Sequence, residues 1–266
     1  MKVGFIGAGN MGGALAEAAK KAVGGGNVFV SASSEKSAKA HAEKLGVTAL
    51  SGDEIFKECG IIFLGVKPYL IESVVKAAAK TLSERKDEYL IVTMAAGVSV
   101  DGVICALGFN APVVRIMPNT PVKIGKGTVP YVCSKKVTEK QKTEFLKTLE
   151  FAGVLTEVEE KSIDAIGALA GSGPAFVYEF IDALATAGVE CGLKKADALK
   201  YAEQTVAGAA ELALESGVHP QILKDEVMSP GGTTVEGVHA LEEGGFKNAV
   251  MNAVVAAYKK TLALKK

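Results

Sequence analysis

The chain has 266 residues, 48% of them hydrophobic, enough to bury a sizeable core and to form two domains. Lys plus Arg and Asp plus Glu both number 30, so the formal charge is zero, and no basic field marks a nucleic-acid or anionic-membrane partner. Four widely spaced cysteines without a CxxC pair and three histidines without ligand spacing argue against metal or a disulfide framework. With a first strand beginning at residue 2 and no apolar run of membrane-spanning length, a reduced, cytoplasmic protein acting on small molecules is expected.

The apolar run Val3–Ile6 reads as a buried strand that breaks into Gly7, Ala8, Gly9, Asn10, Met11 and Gly12, with a helix expected over Ala14–Val23. Glycine at 7 permits a tight turn, at 9 leaves room for a pyrophosphate, and at 12 lets helix and strand pack closely. The helix start offers free N–H groups and partial positive charge to the phosphates. The next strand, Val28–Val30, lacks the acid that bonds ribose hydroxyls about twenty residues past the glycines. Ser33, Ser34 and Lys36 stand there instead and suit the 2′-phosphate of NADPH. Ser33 or Ser34 as a helix N-cap is an alternative compatible with that role, and Glu35 keeps NADH open.

Glu35–Leu45 is a helix stopped by Gly46, and Ser51 with Glu54 forms a capping box. The apolar runs Ile61–Leu64, Leu90–Val92 and Val113–Ile116, separated by helical patterns, predict a mostly parallel, doubly wound sheet. Thr128–Cys133 and Val154–Val158 read as further strands, joined by a helix starting at a Thr138/Gln141 capping box. Ligands of such sheets lie beyond the carboxyl ends of the strands. Three of those ends carry unusual loops, Gly65–Pro68, Thr93–Gly97 and Met117–Pro121, which together suggest a nicotinamide pocket.

From about Ser162 alanine rises and helical patterns dominate. Phe176, Phe180, Leu184 and Ala187 share one face, as do Leu199, Ala202, Val206, Ala209 and Ala213, and a last apolar helix runs from Phe246 to Leu264. Helices this apolar predict a helix-exchanging homodimer built by the second domain, the alternative being that they pack on the first domain. Gly171–Pro174 and Ser229–Thr234 read as loops opening helices, and the second presents consecutive N–H groups suited to a carboxylate.

The segments GAGNMG, GVKP, MPNTP, LAGSGPAF from Leu169 and SPGGTT from Ser229 together resemble the pyrroline-5-carboxylate reductase family over essentially the whole chain. The resemblance implies an α/β chain with a Rossmann domain, here 1–160, and an all-helical substrate-binding and dimerisation domain, here 161–266. It also implies a homodimer often assembled into a ring of dimers, and NAD(P)H-dependent reduction of 1-pyrroline-5-carboxylate to L-proline. On this likeness Gly7–Gly12 hold the pyrophosphate, and Val66, Lys67 and Pro68 with Ala95 and Gly97 line the path to the nicotinamide. Asn119 lies near the nicotinamide half. Ser229, Gly231, Gly232 and Thr233 grip the substrate carboxylate, and Thr234 matches the threonine facing the imine nitrogen. Some members carry an acid where this chain has Gly217, so no role for it is carried over. A β-hydroxyacid dehydrogenase would need a lysine about three residues past the GSG loop, where Phe176 stands. A non-catalytic NADPH-binding protein would not require an intact SPGGTT.

Overall fold

The structure is a computed structural model and describes residues 1–263. Strands β1 (Val3–Ile6), β2 (Val28–Ser31), β3 (Thr48–Ala49), β4 (Ile61–Leu64), β5 (Leu90–Thr93), β6 (Val113–Ile116), β7 (Gly127–Cys133) and β8 (Gly153–Glu157) form one sheet in the order β3-β2-β1-β4-β5-β6-β7-β8. Every neighbouring pair is parallel except β6 and β7. The antiparallel exception follows from chain length, because the short link through Thr120–Ile124 leaves no room for a crossover helix. Strand β3, two residues long and without an apolar run, has no period for the sequence to show.

Helices α1 (Asn10–Val23), α2 (Glu35–Leu45), α3 (Gly52–Glu58), α4 (Pro68–Glu84), α5 (Val100–Leu107) and α6 (Glu139–Thr148) connect the strands. Alternate residues of each strand face opposite sides of the sheet. Val3, Phe5, Val28, Val30, Phe63 and Val92 pack with Leu15, Ala18 and Ala19 of α1. On the other side Ile6, Phe29, Ile62, Leu64 and Ile91 pack with Ile55, Ile71, Val75 and Val103 of α3, α4 and α5. Phe5 and Phe63 stack at 4.5 Å across the β1/β4 pair. Both capping boxes form, Ser51 with Glu54 and Thr138 with Gln141.

Beyond the sheet come α7 (Glu160–Ile166), a π-helical turn (Gly167–Gly171), and α8 (Gly173–Glu190), α9 (Lys195–Ser216), α10 (Pro220–Val227), α11 (Thr233–Glu243) and α12 (Phe246–Ala263). The expected end of the last helix at Leu264 lies outside the described residues. Contacts divide the described residues into a first unit, 1–172 with 257–263, and a second unit, Gly173–Ala256. In the second unit the buried side chains are alanines, Ala185, Ala198 and Ala202, backed by Ile181. The expected apolar faces are therefore only partly used within one chain. Phe176 and Phe180 are half-buried, Phe180 against Phe246, while Leu184, Ala187, Leu199 and Ala209 are exposed.

Two local expectations change. Helix α1 opens at Asn10 rather than Ala14, so Gly12 lies inside its first turn. The segment before α8 is not an open loop: Leu169–Gly171 sit in the π-helical turn, where the Ser172 N–H donates to the Gly167 carbonyl at 3.3 Å. Glycine and alanine tolerate this wider winding, and their turn-like composition hides it.

Candidate functional site

The glycine turn after β1 lies where the strand order reverses between β1 and β4, the place such sheets bind ligands. Gly7 has φ +94°, and a Cβ there would stand 2.9 Å from the Gly65 carbonyl. A Cβ on Gly12 would come within 2.2 Å of the Gly7 carbonyl oxygen. Gly9 differs, because a Cβ there meets nothing within 4 Å of protein. Its lack of a side chain leaves open space rather than room for packing. The Gly7 and Ala8 N–H groups both donate to the Ser31 carbonyl, at 3.0 and 3.1 Å, which ties the turn to β2. Gly9 caps α1 with no side-chain acceptor, and the first turn holds no acid. The donors of Asn10, Met11 and Gly12 are thus available to an anion, which fits a dinucleotide pyrophosphate.

At the end of β2, Ser34 is the N-cap of α2, its Oγ accepting from the Ser37 N–H at 3.2 Å. Ser33 and Lys36 are exposed beside it. Glu35 pairs with Lys39 at 2.6 Å, and that hydrogen bond and charge hold its carboxyl below the usual range. Its carboxylate is therefore directed along the helix.

Lys67 is the N-cap of α4 and Pro68 its first residue, while Val66 packs beside Gly7. Ala95 is buried, its N–H bonded to Thr93 Oγ1 at 3.4 Å, and Gly97 turns the chain at φ +77°. The structure thus brings the glycine turn and the loops after β4, β5 and β6 to one edge of the sheet. Asn119 lies at that edge with its amide engaged by protein. Its Nδ2 donates to the Ala170 carbonyl at 3.1 Å and its Oδ1 accepts from the Thr128 N–H at 2.8 Å.

The Ser229–Thr234 segment belongs to the second unit. Gly231 takes φ +66°, and the Gly232 N–H closes a turn on the Ser229 carbonyl at 3.0 Å rather than facing outward. A Cβ on Gly232 would strike Ser229 Oγ at 2.3 Å. Helix α11 begins at Thr233, not Thr234, with Gly232 as an N-cap that supplies no side chain. Thr233, Thr234 and Val235 therefore carry the open N–H groups of the first turn. Gly217 ends α9 at φ +63°, a conformation that an acidic side chain would adopt only under strain.

One cluster has a single hint in the sequence, a charge inside the strand run VVRI. Arg115 on β6 is 1% exposed and donates to Glu160 Oε1 at 2.7 Å and to Asp164 Oδ1 at 2.6 Å. Among the described residues no group of His, Cys, Asp and Glu is arranged to hold a metal.

A nucleotide-type turn at the switch point of a doubly wound sheet, joined to an all-helical unit, defines a dinucleotide-dependent oxidoreductase. Residues 2–97 match the family profile described as NADP oxidoreductase, coenzyme F420-dependent, and residues 160–264 match that described as pyrroline-5-carboxylate reductase dimerisation. The chain is 40% identical to the pyrroline-5-carboxylate reductase of Pisum sativum, over 98% of this chain and 95% of that protein. It is 37% identical to that of Escherichia coli K12, over 100% and 98%. The crystal structure of Plasmodium falciparum pyrroline carboxylate reductase with NADP bound superposes with TM-score 0.89 at 33% identity, over 100% of this chain and 98% of that one. An Aquifex aeolicus prephenate dehydrogenase, 15% identical at TM-score 0.54, shares the fold alone. The chain belongs to the pyrroline-5-carboxylate reductase family. It is an NAD(P)-dependent oxidoreductase and a homodimer, and α8–α12, which carry many exposed apolar residues, fall within the segment matched as dimerisation.

Proposed function

We propose that the chain reduces 1-pyrroline-5-carboxylate to L-proline with NADPH, with Thr234 as the side chain nearest the imine nitrogen. Residues 1–160 serve the cofactor and 161–266 the substrate and the dimer. The observation that carries the reading is the start of α11 behind Ser229–Gly232, where Gly232 caps the helix with no side-chain acceptor and leaves the first N–H groups open, with Glu236 as the one acid of that turn. Ser229, Gly231, Gly232 and Thr233 shape this cradle for the substrate carboxylate. The Thr234 hydroxyl both donates and accepts, so it serves the imine and then the amine of the product. Bound NADPH supplies the hydride from its nicotinamide C4. The protein's share is to hold the imine carbon in line and exclude water, with no strong acid demanded.

On the cofactor side the Asn10–Gly12 donors receive the pyrophosphate, and Ser33, Ser34 and Lys36 the 2′-phosphate. Val66, Lys67, Pro68, Ala95 and Gly97 line the nicotinamide path, and Asn119 lies near the cofactor's nicotinamide half with its amide held by protein. The dimers assemble into a ring, in the cytoplasm, without nucleic-acid or membrane partners. The formal charge is zero, and among the described residues no helix is long and apolar enough to cross a membrane.

Steady-state kinetics with pyrroline-5-carboxylate test the assignment. Thr234→Ala lowers kcat by roughly ten- to a hundredfold, less than loss of a full oxyanion donor, with cofactor affinity unchanged. If Thr233→Ala is the more damaging change and Thr234→Ala keeps full turnover, the two threonines have exchanged roles. Wild-type protein that binds NADPH but does not turn over would instead be a cofactor-binding protein without catalysis.

A further inference from the structure

Residues 115, 117 and 119 lie at alternate positions along β6 and the extended chain beyond it, and all three meet the same helical segment. Arg115 bonds Glu160 and Asp164. Met117 Cγ lies 3.0 Å from where a Cβ on Gly167 would stand, so the two segments approach closely at this glycine and a larger residue would push the methionine side chain aside. Asn119 Nδ2 bonds the Ala170 carbonyl. Four residues of strand advance about 13 Å. Eight residues of helix, from between Glu160 and Asp164 to Ala170, advance about 12 Å. The two periods stay in step over this length, and three different chemistries lock them there: a buried ion pair, a close apolar contact and an amide bridge.

The last lock closes on the π-helical turn, the one departure from α-helical winding in the segment. Asn119 also accepts from Thr128, and its own N–H bonds the Thr128 carbonyl at 3.3 Å, so one side chain joins the β6 loop, β7 and the turn. We propose that Asn119 is a positioning residue for hydride transfer: it fixes Gly167–Gly171 against the strand edge that forms the nicotinamide pocket. Arg115 and Met117 set the register from below. The proposal deepens the reading of the site given above and rests on it.

Amide hydrogen exchange on the free protein tests the lock without any turnover. Asn119→Ala raises exchange across 167–172 at least tenfold and leaves β4 and β5 unchanged; equal protection in mutant and wild type overturns the proposal. In the assay with pyrroline-5-carboxylate, Asn119→Ala lowers kcat about tenfold while the Kd for NADPH moves less than twofold. A weakened Kd with normal kcat would make Asn119 a direct cofactor ligand and would also overturn it. Asn119→Asp keeps the acceptor for Thr128 and loses the donor to Ala170. Its kcat recovers as pH falls and the introduced carboxyl gains a proton, a profile that the wild type lacks; a pH-independent loss rules the donor role out. Absence of turnover in the wild type would defeat the functional reading, whereas the exchange result stands or falls by itself.

Discussion

At the scale of single residues the three glycines of the first turn separate into two kinds. Gly12 is held by backbone 2.2 Å from any added Cβ, whereas Gly9 faces open space. Gly12→Ala is therefore expected to lower Tm by several degrees and to lose the cofactor with the fold. Gly9→Ala keeps Tm and weakens NADPH binding at least tenfold, measured by fluorescence titration; unchanged binding would remove the pyrophosphate from this turn. The spacing GxGxxG could show that three glycines are needed, but not which one serves packing and which the ligand. Asn119 was equally visible as a residue in a rigid loop, and its bond to Ala170, 51 positions away, was not. The cysteines divide in the same way. Burial pushes both the Cys59 and Cys133 thiols up to about 11, while Cys105 is exposed. Cys105 should react with a thiol reagent at pH 8 and Cys59 only after unfolding. Because the unfolded thiols ionise first, near their ordinary value of about 8.5, stability falls as pH rises from there towards 11. A urea midpoint constant from pH 8 to 10.5 would contradict this.

Whole elements were legible where their ends carry local chemistry. Ser51 with Glu54, Thr138 with Gln141, and Gly46 at φ +64° mark helix ends by contacts within a few residues, so the sequence contains the complete signal. The buried strands were legible because four-residue apolar runs buried on both faces need no alternation. The edge strand β3 and the π-helical turn were not legible, since neighbours rather than local propensity hold them. The double reading of Ser34 belongs at this scale. It caps α2, so Ser34→Ala and Ser51→Ala should each cost about 1 kcal/mol in urea denaturation. Only Ser34→Ala should also weaken NADPH, while Ser33→Asp, which caps nothing, should reverse the NADPH/NADH preference about tenfold by repelling the 2′-phosphate. If Ser33→Asp shifts both cofactors equally, the 2′-phosphate lies elsewhere.

For the whole molecule the decisive contrast is between the cores of the two units. The sheet carries two layers of buried Phe, Ile, Leu and Val, whereas the helical unit buries three alanines and leaves Tyr178, Leu212, Leu214 and Met251 exposed. Alanine buries little area, and at about 25 cal/mol per Å² such a seam does not offset the entropy of ordering five helices. The missing burial comes from the second copy of the chain, as the dimerisation match over 160–264 implies. Folding of this unit and dimerisation are then one equilibrium, and its Tm should rise with protein concentration while the sheet's transition stays fixed. Val255 on α12 is 49% exposed in one chain, so a lysine there costs a lone chain little packing, its ammonium reaching solvent. With a second copy seated on α12 the same ammonium would be buried without a partner, at several kcal/mol for each copy. Val255→Lys should therefore give a monomer by light scattering, with helical signal lost and the sheet domain still binding NADPH. A dimer of wild-type affinity would place the interface on another face of these helices, and a folded monomer of undiminished helicity would show that the alanine seam suffices alone.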